Sequence, residues 1–153
     1  MRTAACCVVL VLAAVIATPA ETQTPAKSGG IACSLLTKED AAAALGESVT
    51  GPRDTQSPNG PSACEYTGSG LHKVQLNVIP MTAQQAGMYK AMCAQKKNDG
   101  LSGLGETACW YNDKHEELQV LKGTTLLTIQ MHKGGNPTEA IKTVARKVYE
   151  RVK

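Results

Sequence analysis

Phenylalanine is absent from this 153-residue chain, and one Trp and four Tyr supply all of its aromatic rings apart from histidine. A nucleic-acid surface that stacks bases on rings interleaved with Lys and Arg is therefore not implied by the composition. Charge of one sign is also lacking: 16 Lys and Arg stand against 13 Asp and Glu. They are spread along the chain, which gives no reason to expect a polyanionic partner. No Cys-x-x-Cys pair occurs, so the close ligand spacing of a thiolate metal site is missing. No Gly-x-Ser-x-Gly elbow occurs either, because Gly100-Leu101-Ser102-Gly103 is followed by Leu104. That glycine-rich stretch follows a predicted helix and opens a strand, the reverse of the order in which a phosphate loop presents its amides.

Long apolar runs are absent except near the N-terminus. Arg2 precedes an apolar stretch from Val8 to Ala17, and Thr18-Pro19-Ala20 then supplies the small residues of a signal-peptidase site before Glu21. The stretch is too short for a spanning helix of about 20 apolar residues, and its layout is that of a secretory signal peptide over residues 1–20. A flexible linker is expected over 21–31 and a single domain over 32–153. No cysteine directly follows the expected cut, so neither a lipid nor any other stable membrane anchor is expected after cleavage. The expected destination is the periplasm or the medium.

Export changes how the cysteines are read. Cys6 and Cys7 leave with the signal peptide, and Cys33, Cys64, Cys93 and Cys109 remain. Four cysteines in a small exported domain imply two disulfides. Three pairings are possible. Cys33 with Cys64 and Cys93 with Cys109 is the favoured one, because each bridge then ties a helix to the strand after it. Each closed loop is expected to contribute on the order of 3 kcal/mol.

Along the domain, Thr37 can cap a helix whose first turn holds Glu39 and Asp40 and whose Ala-rich body stops at Gly46. Glu47–Thr50 reads as a short strand, and residues 53–62, with Pro58, Gly60 and Pro61, as a surface loop. Ala63–Thr67 and Leu71–Ile79 read as strands, the second with Val74, Leu76 and Val78 on one face. Thr82 and Gln85 form a capping box for a helix reaching about Lys97, with Tyr89, Met92 and Cys93 on a common face. The helix is ended by 98–100. Strands follow at Thr107–Tyr111, Glu117–Lys122 and Thr124–His132. Asn136, Pro137 and Glu139 then start a last helix, where Ile141, Val144, Ala145, Val148, Tyr149 and Val152 make an apolar stripe. Lys142, Arg146 and Glu150 read as its outward face.

The fold class is α+β: an antiparallel sheet of about five strands covered by helices, held by two disulfides. Cys109 is out of phase with Ala108 and Trp110, so both faces of that strand must be used, with helices on both sides of the sheet. Each half carries a helix, a cysteine and an antiparallel pair, a weak internal echo.

Cys33-Ser34-Leu35-Leu36-Thr37 before an Ala-rich helix, Cys64-Glu65-Tyr66, and Leu101-Ser102-Gly103-Leu104-Gly105-Glu106-Thr107-Ala108 before a Lys122-Gly123 hairpin make up a recognisable pattern. It resembles small exported bacterial domains, many of them lipoproteins of unknown function, that open with Cys-Ser-Leu-Leu-Thr and carry Gly-Leu-Gly-Asp/Glu-x-Ala. Those domains are similar in layout to the PsbP-like α/β/α sandwich and to the extracellular sensor domain of one bacterial kinase group. The resemblance spans Cys33 to Lys153 and implies that sandwich. It defines no catalytic residue, and this chain departs from the commoner pattern in lacking the lipidation cysteine.

Function is accordingly expected to be non-catalytic: an exported domain binding a small molecule, an envelope component or a protein partner on its sheet or in the 53–62 loop. No catalytic residue, metal ligand or cofactor is assigned. Two other readings carry their own residues. A small envelope hydrolase would need His72, His115 or His132 beside a nucleophile and a carboxylate. A copper carrier would use those histidines with Met81, Met88, Met92 and Met131, residues that otherwise fill core gaps.

Overall fold

The computed structural model describes residues 31–58, 60–96 and 101–153. The signal peptide expected over 1–20, most of the expected linker and the expected helix end at 98–100 lie outside them. The described chain forms α1 (Ile31–Leu35), α2 (Lys38–Leu45), β1 (Thr50–Gln56), β2 (Ser62–Thr67), β3 (Lys73–Pro80), α3 (Ala83–Ala94), β4 (Thr107–Trp110), β5 (Glu117–Lys122), β6 (Thr125–His132) and α4 (Thr138–Arg151).

The six strands make one antiparallel sheet in the order β1-β2-β3-β6-β5-β4. Two three-strand meanders are joined at the centre, where β3 and β6 pair from Lys73↔His132 to Pro80↔Thr125. The internal echo is therefore a helix and three strands in each half, with the last strands of the halves side by side. Alternation in β3 sends Val74, Leu76 and Val78 to the buried side. Opposite them in β6 lie Met131, Ile129 and Leu127, also buried.

Helices cover both faces, for the reason that Cys109 sets. Ala108 and Trp110 belong to the larger core, with α1, α2 and α4 against the sheet. Cys109 belongs to a smaller core on the other side, with Leu121 and Leu126 under Ala86, Tyr89 and Cys93 of α3. Each fully buried Leu or Ile in these layers contributes about 1.5–3 kcal/mol relative to exposure. Both disulfides pair as favoured, Cys33–Cys64 and Cys93–Cys109, one against each face.

The helix ends follow their sequence signals. The Thr37 hydroxyl accepts from the Asp40 N–H, and Gly46 stops α2 at φ 75°. Thr82 and Gln85 close the capping box of α3. In α4 the Asn136 side chain accepts from Thr138 N at 2.9 Å, so the helix begins one residue later than its proline implied.

The expected antiparallel sheet of about five strands is present with six. Four other expectations are corrected. The first strand runs over Thr50–Gln56, so residues 53–56 are strand rather than loop. At the sheet edge β1 has one neighbour, and that position tolerates Pro52, which cannot donate to a ladder. Ile31, placed at the end of the linker, is the first residue of α1. Met92 does not share the buried face of Tyr89 and Cys93 but is 45% exposed. Lys142 does not face outward: it is buried, with its ammonium on Glu139 at 2.9 Å, the stem buried and only the tip reaching a partner.

Gly105 shows why the stretch before β4 needs glycine. Its φ is +71°, and a Cβ there would come within 2.6 Å of Val120 and 2.8 Å of Tyr149. Gly105→Ala is expected to cost about 2 kcal/mol from strain and overpacking together, read as a lowered urea midpoint. A midpoint within error of wild type would show that neighbours yield freely.

Candidate functional site

The sheet, α1 and the C-terminal end of α4 leave a groove of about 390 Å³ between them. Its walls are Ile31 and Leu35 of α1, Val78 and Pro80 of β3, and Val152 after α4, with Ser34, Ser62, Thr125 and Arg151 as polar points. Ile31 is 55% exposed, an apolar side chain lining an open space rather than a closed core.

Each wall is tied down. A five-residue helix cannot hold itself in water, and α1 is held from outside. Cys33 bridges to Cys64 of β2, and the Ala32 N–H donates to the buried Ser62 hydroxyl at 3.0 Å. At the other end of α1, the Arg151 guanidinium donates to the Leu35 carbonyl at 2.7 Å and also pairs with Asp40. Lys147 reaches the second Asp40 oxygen at 2.9 Å. Burial pushes the Asp40 pKa up, but hydrogen bonds from Arg151, Lys147 and Thr37, with the Arg151 charge, outweigh it and bring it down to about 2. The last turn of α4 is fixed by Lys122, whose ammonium donates to the Tyr149 and Val152 carbonyls and sits 4.7 Å from the Tyr149 ring centre.

The sheet face beyond α3 is polar, and its side chains bond one another. Lys73 meets Glu65 at 3.3 Å and Gln75 donates to Asn77 at 2.9 Å. Glu117 accepts from Gln119 at 3.0 Å and from Gln130 at 2.7 Å. A depression of about 180 Å³ there is lined by Arg53, Thr55, Glu65 and Gln75. A larger and shallower one follows residues 101–108. Beside it Glu106 accepts from Gly123 N at 2.8 Å and Lys90 at 3.3 Å, contacts that lower its pKa. Leu101 and Leu104 of that stretch are buried in the larger core.

The histidines do not come together. His72 bonds Glu47 through Nδ1 at 2.8 Å, and the Ser69 hydroxyl donates to the other Glu47 oxygen. Glutamate therefore stands between serine and histidine, whereas a hydrolytic arrangement needs the histidine between the other two. The Gly134 N–H approaches His72 Nε2 at 3.4 Å, so this cluster clips three turns together. His115 stacks on Trp110 with ring centres 4.6 Å apart, and His132 ends β6 opposite Lys73. The methionines are equally dispersed: Met131 is in the larger core, Met81 packs on the smaller one, and Met88 and Met92 are exposed. Among the described residues no group of three His, Cys, Asp or Glu converges.

Binding was expected on the sheet or in residues 53–62, and among the described residues of that loop only Gly60 and Ser62 line the groove. Ile31, Ser34, Val78 and Arg151 were not singled out as binding residues. The usable signal was Cys33, because a bridge from that residue necessarily lays its helix beside the sheet. Fold and site together define a small α+β domain with an apolar groove tied open by a disulfide and an ion pair. No family model, curated protein or solved structure matches the chain.

Proposed function

We propose that the chain is an exported, non-catalytic binding domain whose small-molecule ligand lies in the groove between α1, β3 and the end of α4. The observation that carries this reading is the groove itself. About 390 Å³ falls within the roughly 300–1,000 Å³ usual for ligand sites, and apolar walls with a few placed polar groups are their ordinary lining. Export is supported by the two disulfides, which persist in oxidising compartments. Among the described residues no helix is long and apolar enough to cross a membrane.

The test is titration with the neutral apolar fluorophore N-phenylnaphthylamine. Saturable enhancement is expected with the wild-type chain. Ser34→Trp, which puts an indole into the groove from an exposed position, should weaken binding about tenfold or more. Thr55→Trp, in the polar depression on the other face, should leave it unchanged. No saturable binding, or equal binding by both variants, would remove the groove reading.

A further inference from the structure

We propose that the groove selects uncharged amphiphiles, molecules with an apolar body and a hydroxyl or similar neutral head, and that the Asp40–Arg151 pair enforces this selection. The inference rests on the groove being the binding site. Its walls exclude a strongly hydrated ligand, because Ile31, Leu35, Val78 and Val152 offer no partner for displaced water.

Charge is excluded in both directions. Arg151 is the guanidinium in the groove wall, and it is already engaged with Asp40 and the Leu35 carbonyl. A ligand anion placed on it would also face the Asp40 carboxylate, only 6% exposed. It would lie at the C-terminal end of α4 too, the negative end of the helix dipole. A ligand cation would meet Arg151 itself, and the Lys122 ammonium already occupies the Tyr149 and Val152 carbonyls. Lys153 lines the rim but is exposed, so its charge stays hydrated and screened.

Neutral hydroxyls, by contrast, find complementary groups. Ser34 donates its proton to the Ile31 carbonyl at 2.7 Å and can still accept. Ser62 accepts from Ala32 N at 3.0 Å and can still donate. An alcohol both gives and takes one hydrogen bond, so it can use either serine without stripping an existing partner.

Calorimetric titration of the wild-type chain with decanol, decanoate and decyltrimethylammonium at neutral pH tests the choice. Decanol is expected to bind about tenfold or more tighter than either ion. Asp40→Asn removes the competing carboxylate and releases Arg151, so the affinity for decanoate should gain about tenfold relative to that for decanol. Decanoate binding the wild type as tightly as decanol, or no gain in a folded Asp40→Asn variant, would overturn the selection. If that variant does not fold, the wild-type ranking decides alone. Binding of N-phenylnaphthylamine without binding of decanol would leave the groove and remove this ligand class; binding of neither would remove the groove.

Discussion

Reduction of both disulfides is expected to unfold the domain. The bridges span 31 and 16 residues, and the chain-entropy relation assigns them about 3.7 and 3.1 kcal/mol. Together that is roughly half or more of the about 5–15 kcal/mol by which a domain of ordinary stability exceeds its unfolded state. The bridges lie on opposite faces of the sheet and share no partner, so their effects should add. Local structure sharpens the expectation for Cys33–Cys64. Its helix is five residues long, and without the bridge α1 keeps the Ala32–Ser62 and Leu35–Arg151 hydrogen bonds but no covalent tie. Cys33→Ala with Cys64→Ala should lower the melting temperature by about 10–15 °C and open the groove. Cys93→Ala with Cys109→Ala should cost about as much while leaving the groove in place, because α3 packs on the other face. Far-UV circular dichroism with and without reductant measures both. A reduced protein melting within a few degrees of the oxidised one would show that the two cores suffice alone.

The residues that were legible in the sequence are those whose signal is local. Thr37 with Asp40, Thr82 with Gln85, and Gly46 are decided within one helical turn, and all three stand where their chemistry puts them. Period-two alternation in β3 and β6 needs only its own strand. Cys109 carried more than local information: its phase against Ala108 and Trp110 required two covered faces, and the two cores divide at that residue.

What was not legible depended on distant partners. Arg53 to Gln56 has no apolar alternation because β1 is an exposed edge, held by pairing to β2 rather than by burial. Lys142 looked solvated because it shares a helix face with Arg146 and Glu150, and its burial is a tertiary fact. The groove is the strongest case. Its walls come from residues 31–35, 60–62, 78–80, 125 and 151–153, which share no motif and no period. Lys147 and Arg151 both reach Asp40, more than 100 residues earlier. A sequence window cannot contain that pair.

That pair sets the second large effect. Asp40→Ala is expected to cost about 3 kcal/mol, the lower end of the range for breaking a buried ion pair. The lower end applies because Asp40 is 6% exposed while Lys147 and Arg151 are 44% and 36% exposed, so the stranded cations can recover water. The acid side follows by linkage. The Asp40 pKa is lowered from 3.8 to about 2 in the folded state, so the unfolded chain binds the proton more readily. The resulting stabilisation is complete above about pH 4 and disappears as pH falls through about 2, a loss on the order of 2 kcal/mol. Glu47 and Glu106 also have lowered pKa values, so acid weakens the domain by several routes, and a difference measurement is needed to isolate Asp40. Asp40→Asn supplies it, since the amide keeps the shape and cannot titrate. Urea midpoints of wild type and Asp40→Asn should differ clearly at pH 6 and converge toward pH 2. The variant's own loss of stability over that range should be smaller by about 2 kcal/mol. Parallel curves for the two proteins would mean that the Asp40 pKa is the same in the folded and unfolded chain, so that Arg151 and Lys147 do no more than offset the cost of its burial.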